Sequence, residues 1–126
     1  MNDAVTLAFP AQTQNVALAR RVTAVMAARA DLTLDRLEDA RLAVDEAVSQ
    51  VIADAPPGAE VVCVFEVQDH ALDIVVTAPS SSGSVPPKGT FSWTVLTALA
   101  NTVTAAVDGG VVVLHLHVSR AISVDV

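Results

Sequence analysis

The segment from Thr33 to Ala55, TLDRLEDARLAVDEAVSQVIADA, constrains the chain more than any other. Leu34, Leu37, Val44, Val48 and Val51 recur at steps of three and four, which predicts a helix with one apolar stripe. Thr33 is suited to cap its start, and Asp35 sits in the first turn where the helix dipole favours a carboxylate. Pro56-Pro57-Gly58 closes it. Within this helix Glu46 and Gln50 are four residues apart, so both leave the same face. Two long polar side chains beside an apolar stripe are either helix surface or the wall of a site.

A helix of that length must be covered by other elements, and the remaining sequence supplies them. Ala4–Phe9 reads as a first strand ended by Pro10. A helix is expected from about Ala11 to Ala30, with Val16, Leu18, Val22, Val25 and Met26 on its buried side and Arg20 and Arg21 on its surface. Asp31-Leu32 turns the chain into the central helix. Ala59–Gln68 and Ala71–Ala78 alternate in strand fashion and form a hairpin. Their inward residues are Val61, Cys63, Phe65 and Val67, then Leu72, Ile74 and Val76.

Pro79–Thr90, rich in Ser, Gly and Pro, is a long loop. A loop of this length inside a compact domain is either functional or disordered. A third helix is expected from Phe91 to Val103, with Val95, Leu96 and Leu99 facing in. A strand from Thr104 to Val107 follows, then a turn at Asp108-Gly109-Gly110 and a last strand from Val111 to Val118. Ser119–Val126 reads as a loosely held tail. The order is strand, helix, helix, strand, strand, loop, helix, strand, strand. It predicts one α+β domain, residues 1–126, in which helices cover one face of a mixed, mostly antiparallel sheet.

Composition narrows the function. A formal net charge of −7 argues against nucleic-acid binding, which needs a basic face. No apolar run approaches a membrane span, and the first residues do not have the pattern of a secretory signal. The single cysteine, Cys63, has no partner for an internal disulfide, so a reducing cytoplasm is expected. Cys63 itself reads as a small core residue. His115 and His117 alternate with leucines and share a strand face. With only His70 as a further imidazole, they read as surface residues and not as metal ligands.

Three local runs carry a resemblance. Leu42-Ala43-Val44-Asp45-Glu46-Ala47, then Gln14, Asn15, Ala19 and Arg20, then Gly89–Leu99 resemble the small bacterial anti-sigma factors that are also serine-protein kinases. These belong to the Bergerat-fold (histidine-kinase-like, GHKL) ATPases, and the third run is similar to their actinobacterial branch. The resemblance implies a two-layer α/β sandwich, ATP with Mg²⁺ as cofactor, and Glu46 as general base toward a substrate serine. It implies an alternative sigma factor and a STAS-domain anti-anti-sigma protein as competing partners, and a homodimer for which the first strand is a suitable edge. It places partner contacts at Asn15 and Arg20 and in the Pro79–Trp93 region, including Phe91 and Trp93.

The nucleotide-binding positions of that family fall on Gln50, Ala78, Ser80, Gly89 and Thr90 here, and they depart from its pattern. Gln50 stands where the family places an Mg²⁺-holding asparagine, one methylene further out. Ala78 stands where an aspartate would accept from adenine. Gly89 alone remains of the glycine box, with Phe91 and Trp93 close behind. The expectation is therefore an anti-sigma factor with a degraded nucleotide site. The alternative is an active ATP-dependent kinase of the anti-anti-sigma protein.

Overall fold

A computed structural model describes residues 3–121. Strands β1 (Asp3–Pro10), β2 (Glu60–Gln68), β3 (Ala71–Pro79), β4 (Thr102–Asp108) and β5 (Val111–Ser119) form one sheet in the order β1-β2-β3-β5-β4. Every strand pairing among the described residues is antiparallel, so the expected mixed sheet is uniform instead. Helices α1 (Val16–Arg29), α2 (Leu34–Ala53) and α3 (Phe91–Leu99) lie on one face. The result is the anticipated α+β two-layer sandwich. Of the expected tail, residues 122–126 lie outside the described residues.

Both tight hairpins follow from local chemistry. Gly109 and Gly110 have φ of 57° and 79°, the positive pair that a two-residue turn between twisted strands requires. In the β2–β3 hairpin His70 takes φ 57°, which a non-glycine residue adopts less readily. Asp31 (φ 57°) reverses the chain after α1, while the Asp31 and Leu32 amides donate to Ala28 O and Ala27 O at 3.1 and 3.2 Å. Thr33 caps α2 as expected, its hydroxyl oxygen accepting from the Arg36 amide at 3.2 Å.

The core lies between the helices and the inward sheet face. Phe65, Leu72, Ile74, Leu114 and Leu116 meet Met26, Val44, Val48, Val51 and Leu96, all buried. Alanines dominate the seam between α1 and α2. Ala19, Ala27, Ala40, Ala43 and Ala47 are fully buried, and their small side chains let the helices pack closely. This corrects the expected buried side of α1. Val16 and Met26 face in, Val22 is half-buried, and Leu18 and Val25 are 41% and 60% exposed. The true inward stripe is Val16, Ala19, Thr23, Met26 and Ala27, chosen for size as much as for hydrophobicity.

Two further boundaries differ from the expectation. α3 stops at Leu99 rather than Val103, and β4 begins at Thr102. Asn101 sits in the break and is held from three sides. Its amide donates to His117 O (2.8 Å), its side-chain oxygen accepts from Ser119 N (2.9 Å) and Arg36 Nη2 (2.6 Å), and its Nδ2 donates to Ala121 O (3.0 Å). On α2, Leu34 is exposed. The inward stripe instead begins with Arg36, 5% exposed, and continues through Ala40, Ala43, Val44, Ala47, Val48 and Val51.

Candidate functional site

The last turns of α2 and the loop after β3 border a half-open cavity of about 330 Å³. Gln50, Val51 and Asp54 form one wall, Ser82, Ser84, Val85, Pro86 and Pro87 the opposite one, and Val112 of β5 contributes the floor. The loop is fastened rather than free. Asp54 accepts from the hydroxyls of Ser80 and Ser82, the latter at 2.9 Å, and from the Ser82 amide at 3.1 Å. The Ser81 amide donates to Asp54 O at 2.7 Å, and the Ser80 amide to Gly110 O at 2.8 Å. These donors, the Ser80 hydroxyl foremost and then the Ser82 hydroxyl, hold the Asp54 carboxyl below its ordinary value of 3.8.

Ala78 is buried at the end of β3, paired with Val112, and Ser80 begins the clasp on Asp54. Gln50 lines the cavity, and its Oε1 is buried without a hydrogen-bond partner. Gly89 and Thr90 lie beyond it. A Cβ added at Gly89 would meet nothing within 4 Å, so no close backbone approach requires glycine there. Thr90 caps α3, accepting from Trp93 N at 3.2 Å and donating through its hydroxyl to Pro87 O at 2.9 Å.

A magnesium nucleotide does not fit these residues. No Lys or Arg stands in the wall to meet its phosphates, and the one carboxylate there, Asp54, is engaged by the Ser80 and Ser82 donors rather than open to Mg²⁺. The walls are otherwise mainly valine and proline. Gln50 is the only side-chain amide lining the cavity, and nothing like a glycine cradle stands opposite it.

Glu46 faces elsewhere. It borders a shallow groove of about 440 Å³ between α2 and α3, with Leu42, Asp45, Val95, Ala98 and Leu99. Although Glu46 and Gln50 share a helix face, α3 and the serine loop divide that face between groove and cavity. Asp45 is paired with Arg20 of α1 at 2.7 Å, and Ser49 is 3.5 Å from the same carboxylate. Asn15 Nδ2 donates to Pro10 O at 2.9 Å, so it ties the start of α1 to the end of β1. Phe91 is 81% exposed, while Trp93 is partly buried against the core with Lys88 Nζ 5.8 Å from its ring centroid.

Three polar centres were not singled out from sequence. Asp54 fastens the loop, and Arg36 binds α2 to the far end of the sheet. Asp73 on the outward sheet face receives both histidines, with His115 Nε2 and His117 Nδ1 each 2.9 Å from its Oδ1. No group of three or more metal-ligating side chains positioned to hold an ion occurs among the described residues. Among those residues, no helix is long and apolar enough to cross a membrane.

No family model matches the chain. Two curated relatives do, both named anti-sigma-F factor RsbW, from Mycobacterium tuberculosis strains CDC 1551 / Oshkosh and ATCC 25618 / H37Rv. Each is 36% identical over 106 residues, covering 84% of this chain and 63% of the relative. The chain thus spans less than two thirds of the length of the relatives it matches.

Proposed function

We propose that this chain is an anti-sigma factor of the Bergerat-fold group, like the relatives it matches, and that it sequesters an alternative sigma factor in the cytoplasm and releases it by partner switching. The competitor is a STAS-domain anti-anti-sigma protein that covers the same face. The observation that carries this reading is the helical surface, where Leu18 and Val25 of α1, Leu42 of α2 and Phe91 of α3 remain exposed while alanines fill the seam beneath. Leu18 and Val25, two turns apart on one face of α1, suit a protein partner. Arg20 of the same helix, held against Asp45 and partly exposed, supplies a fixed cation for recognition.

The test is a run-off transcription assay with RNA polymerase carrying each alternative sigma factor of the source organism. Wild-type protein suppresses transcription with its cognate sigma factor, and Arg20→Glu and Leu18→Glu lower affinity by about tenfold or more. Suppression by both variants at wild-type levels would place the interface elsewhere. Failure of the wild type to bind any alternative sigma factor would end the reading itself.

A homodimer is part of the same proposal. β1 is an edge strand whose outer backbone groups are available for pairing. A monomer in sedimentation at high micromolar concentration would count against it. The kinase reading gains no support from the geometry, because Glu46 borders the groove and not the cavity that Gln50 lines. Phosphate transfer from ATP to a STAS protein by the wild type would reinstate it.

A further inference from the structure

We propose that the cavity beneath the serine loop binds a small, uncharged, mainly apolar molecule that carries one hydrogen-bond donor. The proposal concerns a ligand of this chain and stands apart from the anti-sigma reading. At about 330 Å³ the cavity is within the size range of small-molecule sites. Val51, Val85, Pro86, Pro87 and Val112 supply apolar contact from three separate segments. The polar part of the wall narrows the ligand further. Both Asp54 oxygens are already engaged, Oδ1 by the Ser82 amide and Oδ2 by the hydroxyls of Ser80 and Ser82. The Ser84 hydroxyl donates to Ser82 O at 3.4 Å, and Gln50 is left with a buried oxygen that has no donor. Rotation of its terminal amide brings that oxygen to the cavity in exchange for Nε2, and a ligand hydroxyl pairs with whichever of the two atoms faces it. An anionic ligand would face Asp54 without compensation.

Occupancy is coupled to α3 through a short path. Pro87, in the cavity wall, accepts from the Thr90 hydroxyl, and Thr90 caps the helix turn that carries Trp93. Trp93 fluorescence is therefore an internal reporter of the loop.

The experiment uses 4-fluorobenzyl alcohol, an apolar ring with a single hydroxyl, titrated into the purified chain and followed by ¹⁹F NMR and Trp93 fluorescence. Saturable binding is expected with both signals changing together. Val85→Trp places an indole in the cavity from an exposed loop position and abolishes binding with the fold intact. Gln50→Leu removes the acceptor and weakens binding about tenfold while leaving the thermal midpoint equal or higher. Non-saturable broadening, or equal binding by Val85→Trp, would show an adventitious additive only and overturn the proposal. Displacement of the probe by Mg-ADP at equal or lower concentration would overturn it as well, because the cavity would then be a nucleotide site.

Discussion

Arg36 Nη2 donates to Asn101 Oδ1 at 2.6 Å, which joins the first turn of α2 to the break between α3 and β4. The same guanidinium donates through Nε to Ser119 O at 2.9 Å and through Nη1 to Asp39 Oδ2 at 2.8 Å and Leu99 O at 3.3 Å. One buried cation therefore donates to carbonyls at the ends of both α3 and β5. Its planar fork, with donors in several directions, suits it to this role better than an ammonium group.

Replacing Arg36, itself only 5% exposed, with Leu leaves the Ser119 and Leu99 carbonyls short of a donor in a partly buried site. The expected loss is about 3 kcal/mol of unfolding free energy. Urea denaturation checks it, read as a lower midpoint at unchanged slope. Arg36→Lys keeps the charge without the fork and falls between the two. A loss below about 1 kcal/mol for Arg36→Leu would mean that the network is redundant.

The Asp54 clasp has a pH dependence of fixed sign. Its folded carboxyl titrates below 3.8, so the clasp favours the folded state at every pH above that value and is lost as pH falls through the lowered one. Ser80→Ala removes the largest cause and moves the titration upward, toward 3.8. NMR titration of the Asp54 carboxyl carbon measures this directly. An unchanged midpoint in Ser80→Ala would disprove the assigned cause.

Cys63 is fully buried on β2, and burial pushes its thiol from 9.0 up to about 12. The thiolate is the reactive form, so a disulfide reagent near neutral pH labels the protein only after urea unfolds it. The raised value also gives a sign in base. The thiol's contribution to stability is whole below pH 9.0 and declines as pH rises toward 12. Cys63→Ala is less stable near neutrality but loses less of its stability between about pH 8 and pH 10 than the wild type. Rapid labelling of the folded protein would refute the burial.

The strands, both hairpin turns and the limits of α2 were legible because their signals are local. Alternation marked β2 and β3, Thr33 and Pro56–Gly58 bracketed α2, and the glycine pair at 109–110 set the last hairpin. The end of α3 was not legible. Leu99-Ala100-Asn101-Thr102-Val103 contains no breaker, and the helix stops because Asn101 is claimed by Ser119, Ala121 and Arg36. Asp54 was overlooked for a related reason, since its meaning depends on serines 26 and 28 residues further on. The inward side of α1 was misread because large apolar residues were weighed above alanine, and the seam selects for smallness.

That alanine seam divides the labour of α1 between two sides that can change independently. Substituting Ala19 or Ala27 with a larger residue would force the helices apart, so those positions are confined to small side chains. Leu18 and Val25 contribute little to the core, and exchanges there alter stability by no more than about 0.5 kcal/mol. A duplicated copy of this chain could therefore drift at its outer residues toward a new partner without first being rescued from misfolding. The fold carries its own allowance for divergence on the outer side of α1.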